Sequence, residues 1–360
     1  MVNNTDAILS TYILIQISQD SGSFYPYSEY SNVRKITVIQ TKGEMKKNLP
    51  MTKPLKTTPH AGPFLKWAGG KTQLLRQLSL RLPPEIKNGE ITRYVEPFVG
   101  GGAMFFYLHR RFSFTQSTIF DANEELILIW RVIKKSPKKL VHELELLESA
   151  YTSKSNEYKE RFYYHVRDSF NKKKPEINFH SYDSEWVTRA AQSIFLNRTC
   201  YNGLFRMNRK GEFNVPFGRY KTPRILNKGN LDDVAVLLKT TTILSGDFTR
   251  CKKFVDTTTF VYLDPPYRPL NDTSSFTSYS KDGFSDSDQR RLAGFFKELD
   301  KKGAKIMLSN SDPRNENPHD SFFDDLYAGY TIERVPAKRI INCKGARRGE
   351  INELIITNYR

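Results

Sequence analysis

The chain has 360 residues, enough for one large domain or two and for a substantial hydrophobic core. Its 56 Lys and Arg against 39 Asp and Glu leave a net charge of +17, which favours a polyanionic partner. Three cysteines (Cys200, Cys251, Cys343) are too few and too scattered for a disulfide framework or a zinc site, and the start Met1-Val2-Asn3-Asn4-Thr5-Asp6 lacks the basic segment of a secretion signal. The apolar run 12–15 is too short to span a bilayer, so the expected setting is the reducing cytoplasm, without membrane or metal.

Residues 1–60 are rich in Ser, Thr, Asn and Lys, carry only short β-like runs, and have the composition of an unfolded leader. Order is expected from Pro63 onward. The run Pro63-Phe64-Leu65-Lys66-Trp67-Ala68-Gly69-Gly70-Lys71-Thr72 leads into a helix with Leu74, Leu75, Leu78 and Leu82 on its apolar face. Its Gly-Lys-Thr is no P-loop, because Leu65 stands where the first glycine belongs and no strand precedes it. A glycine turn that sets Trp67 and Lys71 against a ligand remains, as does a purely structural turn.

Tyr94-Val95-Glu96-Pro97-Phe98-Val99-Gly100-Gly101-Gly102, followed by a helix from Ala103, opens a nucleotide-binding α/β unit: strand, glycine turn, helix. Phe105 replaces the third glycine of the dinucleotide fingerprint, which is therefore incomplete. The next strand, 117–120, delivers Asp121, an acid able to take two ribose hydroxyls of either a dinucleotide or an adenosyl cofactor. Composition does not choose between them.

From 124 to 241 the pattern is helical. Between Trp186 and Asn230 nine Lys and Arg face one acid, Glu212. Residues 197–216 read as a hairpin whose arms carry Asn, Arg and aromatics, the types that read base edges; by composition they equally suit a basic surface loop. Strand rhythm resumes at 242–248, 259–263, 304–310, 330–335 and 353–358, with a helix opening at Asp286. The β-branched and aromatic run 259–262 ends abruptly in Leu263-Asp264-Pro265-Pro266-Tyr267. The first proline keeps Asp264 extended, which places its carboxylate at a strand's carboxyl end, where open α/β sheets bind ligands. An acid, a carbonyl with no N–H following it and an aromatic ring together suit a flat, amino-bearing heterocycle. The Ser/Thr-rich stretch 268–283 that follows suits a mobile lid, and equally a disordered surface loop with no role.

In this order, FLKWAGGK (64–71), YVEPFVGGG (94–102), Asp121, NRTCYNGLFR (197–206), NRKGEFNVPFGRY (208–220), GDF (246–248), LDPPY (263–267), the FT-x-Y of Phe276, Thr277 and Tyr279, and CKGARR (343–348) resemble the Dam-type DNA adenine-N6 methyltransferase family, over residues 63–360. The resemblance implies an α/β class I methyltransferase fold, Rossmann-like with a mixed seven-stranded sheet. It implies a catalytic domain built from 61–130 and 242–360, and a helical DNA-recognition insertion, 131–241, carrying a β-hairpin. By motif position the cofactor would be S-adenosylmethionine, contacted by Trp67, Lys71, Glu96, Phe98, Gly100, Gly102, Asp121, Asp247, Phe248 and Asp264. Asp264, Pro265, Pro266 and Tyr267 would be catalytic. Lys66, Tyr201, Asn202, Leu204, Arg206, Arg209 and Pro216 would contact double-stranded DNA, with GATC as target. A monomer or weak dimer is the expected state.

The chemistry of these residues is compatible. Adenine N6 is a poor nucleophile, and two acceptors, the Asp264 carboxylate and the Pro265 carbonyl, would orient it while Tyr267 stacks on a base turned out of the duplex. Thr199, Arg250 and Asn342 precede the three cysteines, against a C5-cytosine enzyme with its Pro-Cys nucleophile. Cytosine N4 methylation and a catalytically silent regulator of the same fold stay open at this level; a nicotinamide oxidoreductase leaves the basic hairpin unexplained.

Overall fold

The computed structural model describes residues 60–67, 71–208, 210–268, 284–338 and 350–360, all within the unit Leu55–Arg360. Among them seven strands form one sheet: β1 Arg93–Glu96, β2 Gln116–Asp121, β3 Thr241–Ser245, β4 Thr259–Leu263, β5 Lys305–Ser311, β6 Thr331–Lys338 and β7 Glu350–Thr357. Their order is β3-β2-β1-β4-β5-β7-β6. β1 to β5 pair in parallel, and β7 lies antiparallel between β5 and β6. This is the mixed α/β sheet expected, consistent with a class I methyltransferase fold. Strand order reverses between β1 and β4, which opens a crevice at their carboxyl ends.

Alternate residues along the strands enter two separate cores. Tyr94, Ile119, Phe260, Tyr262, Met307 and Ile355 face one side, and Val95, Phe120, Val261, Leu263, Leu308 and Ile356 the other. That burial on both faces is why β4 reads as an unbroken apolar run. The first core is covered by α1 Leu75–Leu80, α2 Pro84–Lys87, α3 Ala103–His109, α4 Glu124–Lys135, α5 Pro137–Tyr151, α6 Asn156–Lys173, α7 Glu185–Thr199 and α8 Lys228–Leu237. The second is covered by α9 Asp286–Asp300, α10 Phe322–Leu326 and the 3-10 helix Phe248–Phe254.

Between β2 and β3 the chain is helical, as its pattern predicts. α4 starts where the Asn123 side chain accepts the Leu126 N–H, has Glu124 and Glu125 in its first turn, and ends in Lys134 and Lys135, each complementing the helix dipole. α7 packs on α4, α5 and α6. Inside that junction Arg189 donates to both Glu125 oxygens and to the Phe170 carbonyl, so a buried ion pair bonds three helices together.

Several boundaries differ from the sequence reading. The strand of 242–248 stops at Ser245, because Gly246 takes a left-handed φ of 124° and Asp247 then caps the 3-10 helix through the Thr249 N–H. The hairpin begins only at Cys200, since α7 continues through Thr199. It is also irregular. Its two bridges, Cys200 with Phe217 and Met207 with Phe213, enclose seven residue steps on one arm and four on the other. The surplus of three is the 3-10 turn Tyr201–Gly203, bent by left-handed Asn202 (φ 56°) and Gly203 (φ 64°). Residues 1–59 of the leader, 68–70 of the glycine turn, Arg209, most of the lid (269–283), the FT-x-Y residues and the basic stretch 343–348 lie outside the described residues. Among the described residues no helix is long and apolar enough to cross a membrane.

Candidate active site

β4 pairs Leu263 with Leu308 of β5, so the next register step sets Asp264 beside Ser309. Ser309 Oγ donates to Asp264 Oδ1 at 3.2 Å and takes a hydrogen bond from Tyr262 at 2.8 Å. Lys71 Nζ reaches the same Oδ1 at 3.1 Å. Among the described residues Oδ2 is thus the oxygen left for an incoming N–H. Burial pushes the Asp264 carboxyl up to about 6, against the opposing pull of Lys71. Past the acid, Gln289 Nε2 holds the Pro266 carbonyl at 3.2 Å, and Asn310 holds Gln289 in turn, which fixes the peptide between Pro266 and Tyr267.

Tyr267 is 37% exposed, and its hydroxyl donates to Glu353 at 2.6–2.7 Å. Lys71 Nζ also contacts the Tyr267 hydroxyl, lies 4.1 Å from its ring centroid, and sits 3.4 Å from Glu353. Burial works against the Lys71 ammonium, but Asp264 and Glu353 more than offset it and hold the group above its usual range. Burial and Glu353 keep the Tyr267 phenol protonated. Lys71, from one motif, and Asp264 and Tyr267, from another, therefore meet in one network.

Glu353 is the member that sequence reasoning missed. It stands on β7 opposite Ser311 of β5 and Val335 of β6, and antiparallel pairing alone carries it to the carboxyl edge. An acid heading the apolar run 353–356 was the available signal.

Asp121, ending β2, accepts the Gly100 N–H at 3.0 Å on Oδ2 and the Asn123 N–H at 2.9 Å on Oδ1. Burial pushes it up to about 6. Gly100 (φ 47°) and Gly102 (φ 73°) are both left-handed, and the space a Cβ would take is filled by the protein itself: Trp67 at 2.9 Å from Gly100, Trp130 at 2.8 Å from Gly102. Glu96 is buried against the Tyr94 hydroxyl at 2.8 Å, its carboxyl held well above the usual range by burial. Asp247 is committed to Thr249 and Arg291, and Phe248 is buried at 3%. Phe98 is the partly exposed ring of the aromatic group Phe98, Phe248 and Phe284.

The hairpin packs against residues 64–67. Tyr201 is 54% exposed, Asn202, Arg206, Pro216 and Lys66 are exposed, and Leu204 is half-buried. Arg206 is held by Asn214 through Nε at 2.9 Å, and the Lys66 ammonium lies 4.6 Å over the Tyr220 ring. Lys66 and the 201–203 turn, far apart in sequence, are in direct contact.

A family model for the D12 class of N6 adenine-specific DNA methyltransferases matches residues 67–341. The chain belongs to that family. It is 53% identical over 298 residues to the Type II methyltransferase M.MjaIII of Methanocaldococcus jannaschii, covering 82% of this chain and 99% of the relative. Similarity to the Type II methyltransferase M1.LlaDCHI of Lactococcus lactis subsp. cremoris is 39% over 299 residues, 82% of this chain and 95% of the relative. With the DNA adenine methylase of Escherichia coli (strain K12) it is 31% over 293 residues, 81% and 93% of the two chains. The protein is an adenine-specific DNA methyltransferase.

In this enzyme two thiols are ill suited to nucleophilic work: Cys200 and Cys251 are buried, and burial pushes each up to about 12. The acceptor set around Asp264 is suited to an amine. A carboxylate fixed through one oxygen can take an N–H on the other and stabilise the positive charge that grows as an amine is alkylated.

Proposed function

We propose that the enzyme transfers the methyl group of S-adenosylmethionine to N6 of adenine within GATC in duplex DNA, with the base turned out of the helix. The observation that carries the chemistry is Asp264, oriented by Ser309 and Lys71 at the end of β4. S-adenosylmethionine would supply the activated methyl group. The residues present suit it: Asp121, anchored on Gly100 and Asn123, offers a carboxylate to two ribose hydroxyls, and Phe98 offers a ring face. Trp67 and Lys71 would border it. Asp264 Oδ2 and the Pro265 carbonyl would take the two N6 hydrogens and point the lone pair at the methyl carbon, and Tyr267 would stack on the flipped base.

Specificity for GATC rests on the hairpin. Arg206 suits guanine O6 and N7, Lys66 suits the same acceptors of a second guanine, Leu204 suits a thymine methyl, and exposed Tyr201 suits the space left by the extruded adenine. Asn202, Arg209 and Pro216 would complete the surface, and residues 131–241 would act as the recognition insertion. Two relatives named Type II methyltransferases support a role as the modifying partner of a restriction enzyme. The test is to methylate plasmid DNA with the purified enzyme and map modified bases. Protection of GATC sites is expected; modified adenines elsewhere, with GATC untouched, would refute the target assignment.

A further inference from the structure

Asn197, in the last turn of α7, has no exposed surface and uses its amide three ways. Oδ1 accepts the Lys66 N–H at 2.8 Å, while Nδ2 donates to the Lys66 carbonyl at 2.9 Å and to the Gly203 carbonyl at 2.9 Å. A side-chain amide carries donor and acceptor side by side, so it grips Lys66 as a neighbouring strand would, and reaches the hairpin turn with its second hydrogen.

Two further ties bind the same pair of segments. Arg198 donates to the Phe64 carbonyl at 2.8 Å, and Phe205 stacks on Trp67 with centroids 5.5 Å apart. The contact has no slack: a Cβ on Gly203 would lie 2.2 Å from Lys66 Cδ. Trp67 also presses on Gly100, whose N–H holds Asp121. An unbroken chain of packed groups thus runs from the hairpin turn through Lys66, Trp67 and Gly100 to Asp121.

We propose that Asn197 is a positioning residue that couples target recognition to cofactor binding. Engagement of the hairpin with its DNA sequence sets the place of residues 64–67, and Trp67 passes this to the pocket at Asp121. The proposal rests on the reading above, that the hairpin contacts DNA and Asp121 the cofactor. Coupling of this kind is reciprocal: DNA changes cofactor affinity by the factor by which cofactor changes DNA affinity.

The test uses full-length enzyme and S-adenosylhomocysteine, which binds without turnover. Its affinity is titrated without DNA, with a duplex carrying the mapped target, and with that duplex after exchange of one target base pair. In the wild type the target duplex should tighten binding about fivefold or more, and the exchanged duplex less. Asn197→Asp keeps the acceptor for Lys66 N–H but loses both donated bonds; Phe205→Leu removes the stack on Trp67. Both should keep the DNA-free affinity within about twofold and lose the dependence on target sequence. A wild type without that dependence, or folded variants that retain it in full, would overturn the proposal. Should Asn197→Asp fail to fold, Phe205→Leu decides alone. A wild type that neither binds S-adenosylhomocysteine nor methylates DNA brings down the functional reading itself, a separate and recognisable failure.

Discussion

Replacing Asp264 by Ala removes the acceptor at the centre of the proposed chemistry. One preorganised acceptor in such a site is worth about 10²–10³ in rate, or roughly 2.7–4 kcal/mol of transition-state stabilisation. The fold should survive. Lys71 loses its partner at 3.1 Å but keeps Glu353 at 3.4 Å and the Tyr267 hydroxyl, so the stability loss should be about 1–3 kcal/mol rather than that of a stranded charge. The assay is single-turnover methyl transfer by rapid quench, with duplex affinity measured in parallel by anisotropy. Rate should fall by two to three orders of magnitude at unchanged affinity. In the wild type the ionised carboxylate is the stronger acceptor and the form that stabilises positive charge growing on the amine. With its pKa raised to about 6, activity should be full above that pH and fall about tenfold per unit as pH drops below it. A variant within about tenfold of wild-type rate, or a wild-type acid limb near the ordinary carboxylate value, would refute the assignment.

Glu353 raises the Asp264 pKa through its negative charge, so Glu353→Gln should move that acid limb to lower pH; a pH–rate profile of the variant checks the direction. Asp121, pushed up to about 6 by burial, would accept two ribose hydroxyls best as the carboxylate in the proposed site. Cofactor affinity should therefore weaken as pH falls through about 6, and Asp121→Asn should abolish the dependence in a calorimetric titration. Arg189→Met strands the Glu125 carboxylate inside the helical junction and should cost about 3–5 kcal/mol, read as a lowered urea midpoint.

What was legible in the chain was local. The strand ending in Asp264-Pro265-Pro266 announced its own carboxyl end, because two prolines cannot continue a ladder and the first keeps the acid extended. Asp121 and the glycine turn followed from strand–turn–helix rhythm in the same way. Glu353 was not legible, since 86 residues separate it from Tyr267 and only the pairing of β7 with β5 and β6 brings it there. Asn197 was read as hairpin and proved to be helix, because periodicity does not reveal that a polar residue on a buried helical face has three backbone partners waiting. The glycines at 100 and 102 were legible as glycines but not in their full reason, which includes two indoles of the protein itself.

The most direct measurement is to incubate duplex DNA with the enzyme and S-adenosylmethionine labelled in its methyl group, digest to nucleosides and identify the labelled base, with Asp264→Ala alongside. Label in N6-methyladenine, drawn from GATC sites and lost in the variant, is the expected result; label in cytosine, or adenine label undiminished in the variant, would contradict the account.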